Sequence, residues 1–81
     1  MHELGVLHYI VKTVTRIATE NHIAKIKHIV LDVGELSGFV PRYLTKLFPI
    51  AADGIAVLKQ AELQIRMIAG NSGLVIKEIG Y

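Results

Sequence analysis

Met1-His2-Glu3 places a potential metal-chelating group at the start of the chain. A free α-amine at Met1, the backbone amide nitrogen and imidazole of His2, and the backbone nitrogen of Glu3 follow one another in order. Together they close small chelate rings around one cation. Four nitrogens near one plane suit Ni(II) or Cu(II), which favour square-planar or tetragonal N-donor sets. Amide nitrogens bind only after losing their protons, so affinity rises with pH. An initiator methionine is usually trimmed only when the second residue is small. His2 is large, so Met1 is expected to persist and to supply the amine. The expected metal ligands are therefore Met1, His2 and Glu3, with the Glu3 carboxylate left over for a supporting or partner contact.

The other polar residues form no comparable set. His8 follows His2 by six positions, whereas neighbours on one helix face lie three or four apart; it reads as a surface or interface histidine. His22 falls just past a helix end, where a partly cationic imidazole is favourable. His28 sits on the mixed face of a strand, either at the edge of the core or in solvent. Asp32 and Glu35 lack the arrangement of a general acid/base pair. Ser37 has neither an evident base nor a group to orient one. Gly34-x-x-x-Gly38 lacks the Lys-Ser/Thr that completes a phosphate loop. No catalytic arrangement emerges, and the protein is expected not to be an enzyme.

The elements that must position these residues follow from apolar spacing. From Glu3 to Asn21, Leu7, Ile10, Val11, Val14, Ile17 and Ala18 build one helical stripe. Glu3 falls in the first turn, where negative charge suits the helix dipole, and Asn21 is the expected C-terminal cap. Lys25 to Leu36 reads as a strand, with Ile29, Leu31 and Val33 on an apolar face and His28, Val30 and Asp32 on a mixed one. A second helix starts near Pro41, which the first turn tolerates. Its stripe is Leu44, Leu47, Phe48 and Ala51, and Gly54 stops it. Pro49 inside this helix removes one hydrogen bond and clashes with the preceding turn, at ~3 kcal/mol. A kink or break between Phe48 and Ile50 is expected. Ile55 to Gln60 is a connector. Ala61–Ile68 and Leu74–Ile79 are strands, expected to pair as an antiparallel hairpin through residues 69–73. The order α-β-α-β-β implies an α+β fold, two helices packed on a three-stranded, largely antiparallel sheet.

Bulk properties bound the function. The 81 residues form one domain, close to the lower size for a self-sufficient core. With no cysteine and 52% hydrophobic residues, stability must come from apolar burial. That content hints that some apolar surface is covered by another subunit or segment. A net charge of +2, spread along the chain, gives no patch suited to nucleic acid. Charged residues interrupt every apolar run before the roughly 18 residues that cross a bilayer, and no secretory signal opens the chain. A cytoplasmic protein is expected.

The segments MHELGVLHYIVKTV, IVLDVGELSGFVPRYL and AELQI, in that order, resemble the HypA/HybF family of nickel metallochaperones. The closing LVIKEI is similar to that family's last strand, so the likeness covers essentially the whole chain. It implies Ni(II) held at the free N-terminus for [NiFe]-hydrogenase maturation, with urease maturation as a second outlet. It also implies a HypB-type GTPase and the hydrogenase large-subunit precursor as partners. Family members carry a zinc domain with paired Cys-x-x-Cys motifs between their last two strands. Here Arg66 runs through residues 69–73 straight to Leu74, and a thiolate zinc site is excluded. The expectation is a single nickel-binding domain over residues 1–81, with no zinc and with the zinc domain absent near 69–73. Either the zinc domain was cut out and replaced by a short turn, which the linker-like Asn71-Ser72-Gly73 favours, or this is a natural variant that lacks it.

A reading from another class remains open: a metal-free protein-interaction module, or an engineered zinc-domain-deleted fragment that self-associates. High hydropathy and the exposed edges of so small a sheet favour it. A homodimer, or a dimer that exchanges strands at 69–73, belongs to this reading.

Overall fold

The computed structural model describes residues 3–81. Met1 and His2, on which the metal reading chiefly rests, lie outside the described residues. Helix α1 spans Glu3–Glu20, strand β1 His28–Gly34, helix α2 Pro41–Ala51, strand β2 Glu62–Ile68 and strand β3 Leu74–Gly80. A short 3-10 turn at Ala56–Leu58 lies within the expected connector. The α+β order is the one expected, and no helix among the described residues is long and apolar enough to cross a membrane.

The sheet is mixed, with strand order β2-β1-β3. β1 runs parallel to β2 and antiparallel to β3. The expected hairpin between β2 and β3 is not formed, because β1 lies between them. The reason is in β1 itself. Ile29, Leu31 and Val33 are fully buried on one face, and Val30 on the other is only 8% exposed. A strand apolar on both faces is best covered at the centre of a sheet. Helix α2 returns the chain for the parallel pairing, which requires a crossover. Residues 69–73 then step over the end of β1, a distance of about 10 Å for two strand spacings.

Register places Leu63 and Ile79 beside Ile29, Ile65 and Ile76 beside Leu31, and Met67 and Leu74 beside Val33. The pairing with β3 shifts between Val30 and Leu31, so Lys77 is an extra residue at a bulge. Against this apolar face α1 packs Leu7, Ile10 and Val14, all fully buried, and α2 packs Leu44 and Phe48. Each such side chain contributes about 1.5–3 kcal/mol relative to exposure.

Boundaries differ from expectation in informative places. β1 is shorter than Lys25–Leu36, because Glu35 and Leu36 belong to a turn. Helix α2 continues through Pro49 to Ala51 without a break. Pro49 lies within the last turn, and both it and Thr45, whose carbonyl loses its helical partner, are exposed. Water can satisfy that carbonyl, so the cost of the proline does not interrupt the helix. After Ala52 and Asp53, Gly54 adopts φ 79°, a left-handed conformation that glycine accepts readily.

The end of α1 is closed by the main chain. Ile23 N–H donates to the Ala18 carbonyl at 2.8 Å and His22 N–H to Thr19 at 3.4 Å. This is a Schellman closure with His22 in the left-handed position at φ 56°. Asn21, the expected cap, precedes it at the C-cap position and donates both its N–H, at 3.0 Å, and its side-chain amide, at 2.8 Å, to the Ile17 carbonyl. Ile23 packs against the core and anchors the exit.

Candidate metal-binding end of the molecule

Glu3 is the first residue of α1, half-buried, and its carboxylate does not face open solvent alone. Glu3 Oε2 accepts a hydrogen bond from the Val40 N–H at 3.2 Å. Val40 is the N-cap residue of α2, has no capping side chain of its own, and is followed by a first turn with no acidic residue. One carboxylate therefore sits at the starts of both helices, where the positive ends of their dipoles favour it. Leu4 and Phe39 pack against the core on either side of this contact.

The same end is braced by the crossing connector. Leu36 N–H donates to the Asn71 carbonyl at 2.9 Å, Gly34 N–H to Gly73 at 2.8 Å, and Glu35 N–H to Ile68 at 2.9 Å. Asn71 Oδ1 accepts from Gly73 N–H at 2.7 Å and holds the turn's shape. A Cβ on Gly34 would collide with the Asn71 carbonyl, so glycine is required where the connector crosses. Beside the brace lies a shallow, mostly apolar depression of about 480 Å3, lined by Gly5, Val6, Tyr9, Phe39 and Leu74. The larger hollow, about 610 Å3, lies beyond the C-terminal end of α2 and includes Phe48, Asp53 and Lys59. It contains no residue of the first turn of α1.

The remaining histidines are separated from this end or from one another. His8 is exposed on α1. His22 serves the helix exit. His28 is half-buried on the sheet face away from the helices, with Nε2 2.8 Å from Glu78 Oε2. Its ring lies over Gly80, where any Cβ would strike the imidazole. Asp32 is paired across the parallel register with Arg66, whose Nε lies 3.4 Å from Oδ1 without hydrogen-bond alignment. Glu35 is exposed in the turn. Among the described residues, no three His, Cys, Asp or Glu side chains converge on a common point. The sequence-based ligand set thus reduces, within the described residues, to Glu3 at the helix start. Its link to Val40, 37 positions away, has no signature in local spacing.

A family profile described as "Hydrogenase/urease nickel incorporation, metallochaperone, hypA" matches residues 1–72. The chain is 39% identical over 70 residues to the hydrogenase maturation factor HypA of Trichormus variabilis, covering 86% of this chain and 58% of that protein. To the hydrogenase maturation factor HypA of Methanosarcina barkeri it is 35% identical over 68 residues, covering 84% of this chain and 50% of that protein. It therefore spans about half the length of these relatives. Its fold is similar to the solution structure of the Ni metallochaperone HypA from Helicobacter pylori, with a TM-score of 0.78 at 23% identity. That likeness covers 96% of this chain and 72% of the other.

Proposed function

The chain belongs to the HypA family, and on that premise we propose that it carries Ni(II) for hydrogenase maturation. The cargo is held by the Met1 amine, the His2 amide nitrogen and imidazole, and the Glu3 amide nitrogen. The observation that supports this reading is that α1 begins at Glu3. The first N–H groups of an α-helix have no intrahelical partner. The Glu3 nitrogen can therefore lose its proton to a metal without breaking a backbone hydrogen bond of the helix.

Such a donor set both holds and releases. Deprotonated amides give strong in-plane donors, while reprotonation of the amine and amides, or competition from a partner's thiolates, loosens the ion. The proposed recipients are a HypB-type GTPase and the hydrogenase large-subunit precursor, by family membership alone. Cu(II) binds N-donor sites more tightly than Ni(II) by intrinsic affinity, so selectivity must come from metal availability and from those partners. The role requires no bond-making catalysis by the chain, only binding and hand-over.

Titration with Ni(II) at mildly alkaline pH tests the reading. A yellow, diamagnetic complex is expected, as befits four nitrogens in a plane. A paramagnetic, six-coordinate spectrum would show that the ion is held elsewhere or by other donors.

A further inference from the structure

Glu3 brings two structural roles together, since its main chain opens α1 while its side chain completes the start of α2. We propose that the Glu3 carboxylate is a latch that positions the nickel-binding N-terminus against α2. This inference rests on the nickel reading above and deepens it: Glu3 acts twice, through its nitrogen as a donor and through its carboxylate as a positioning group.

The geometry carries this as follows. Val40 offers a free N–H at the start of a helix that has neither a capping side chain nor an acid in its first turn. Glu3 Oε2 supplies the missing acceptor from another element. Accepting that hydrogen bond restricts the rotamer of Glu3 and so narrows the directions its main-chain nitrogen samples. A donor already oriented loses less freedom when the metal arrives. The contact is exposed at 3.2 Å, so it orders the segment without locking it. Nickel occupancy is thereby coupled to the Phe39-Val40 entrance to α2 and to the depression that Phe39 lines. Any tug on residue 3 by the bound ion is felt at the Val40 amide.

Three proteins separate the latch from its rivals: the wild type, Glu3→Ala and Glu3→Gln. The carboxamide of Glu3→Gln keeps an oxygen acceptor for Val40 but removes the charge. Nickel affinity should fall about tenfold in Glu3→Ala, the lower end of what an outer-shell partner contributes, and be largely restored in Glu3→Gln. The Val40 amide resonance should shift on nickel addition in the wild type and in Glu3→Gln, and stay unmoved in Glu3→Ala. Equal affinities in wild type and Glu3→Ala would overturn the latch while leaving the nickel reading intact. Equal losses in Glu3→Ala and Glu3→Gln would assign the effect to charge and overturn the latch as well. Failure of the wild type to bind nickel would overturn both.

Discussion

The two ends of α1 are secured in opposite ways. At the C-terminal end, main-chain hydrogen bonds from His22 and Ile23 turn the chain back, and Ile23 enters the core. At the N-terminal end, among the described residues, Leu4, Val6 and Leu7 reach the core. The hydrogen bond that ties the helix start to α2, however, is an exposed side-chain contact, Glu3 to Val40. Backbone closure buried against a core is slow to open, whereas a lone exposed hydrogen bond opens readily. The contrast suits the far end to scaffolding and, on the function proposed above, the near end to exchangeable binding. A cargo site needs the second kind of attachment, because a donor set frozen by the fold would hold its ion too well.

The largest effect that could break this contrast is expected at the near end. His2→Ala should lower nickel affinity by more than the roughly 10- to 100-fold that loss of an outer-shell partner costs. Its thermal stability should remain that of the wild type; isothermal titration beside a melting curve makes the comparison. Comparable heats in both proteins would instead favour a metal-free interaction module.

Gly34→Ala tests the brace under the near end. The new methyl group meets the Asn71 carbonyl and must displace the connector that bonds Leu36 and Gly34. A loss of about 2 kcal/mol in urea unfolding is expected, in the range of overpacked sites. No loss would mean that residues 69–73 are not docked on β1. Gel filtration of the same variant reports whether a freed connector leads to strand exchange.

His22→Gly sharpens the far end. Relieving the left-handed strain at φ 56° should raise stability by about 1 kcal/mol, with nickel affinity unchanged. A change in affinity would show that the two ends of α1 communicate. The smallest effect belongs to Arg16→Ala. Its ion pair with Glu20 spans 3.1 Å between side chains more than half exposed, and its removal should cost no more than about 0.5 kcal/mol.

The sequence was legible wherever one period dominates. The stripes of α1 and α2 and the alternation in β1 announce their elements and the buried faces of Leu7, Ile10, Ile29 and Leu31. Strand pairing was less accessible. Gly70-Asn71-Ser72-Gly73 has the composition of a hairpin turn, and composition does not reveal that another strand lies in between. The available signal was Val30 in β1, an apolar residue on the face otherwise given to His28 and Asp32, which marks a central strand. Placing β1 centrally also brings Asp32 opposite Arg66, a pair the hairpin arrangement concealed. His22 was placed just past the helix end, but its left-handed conformation was not legible, because such exits usually show as glycine or asparagine. At the candidate site the order Met1-His2-Glu3 was visible as donor chemistry. The bond from Glu3 to Val40 was not, since it joins residues 37 positions apart through a main-chain group that every residue but proline carries.

The central claim is that an unblocked amine at Met1 acts with His2 and Glu3 to hold nickel. Metal content and the absorption spectrum should be compared for protein with a free amine and for the same protein N-acetylated, both equilibrated with Ni(II) at mildly alkaline pH and then desalted. The free form is expected to retain the ion and its planar-complex band, and the acetylated form to lose both. Equal retention by the two, with the same spectrum, would contradict the claim and place the metal away from the chain's start.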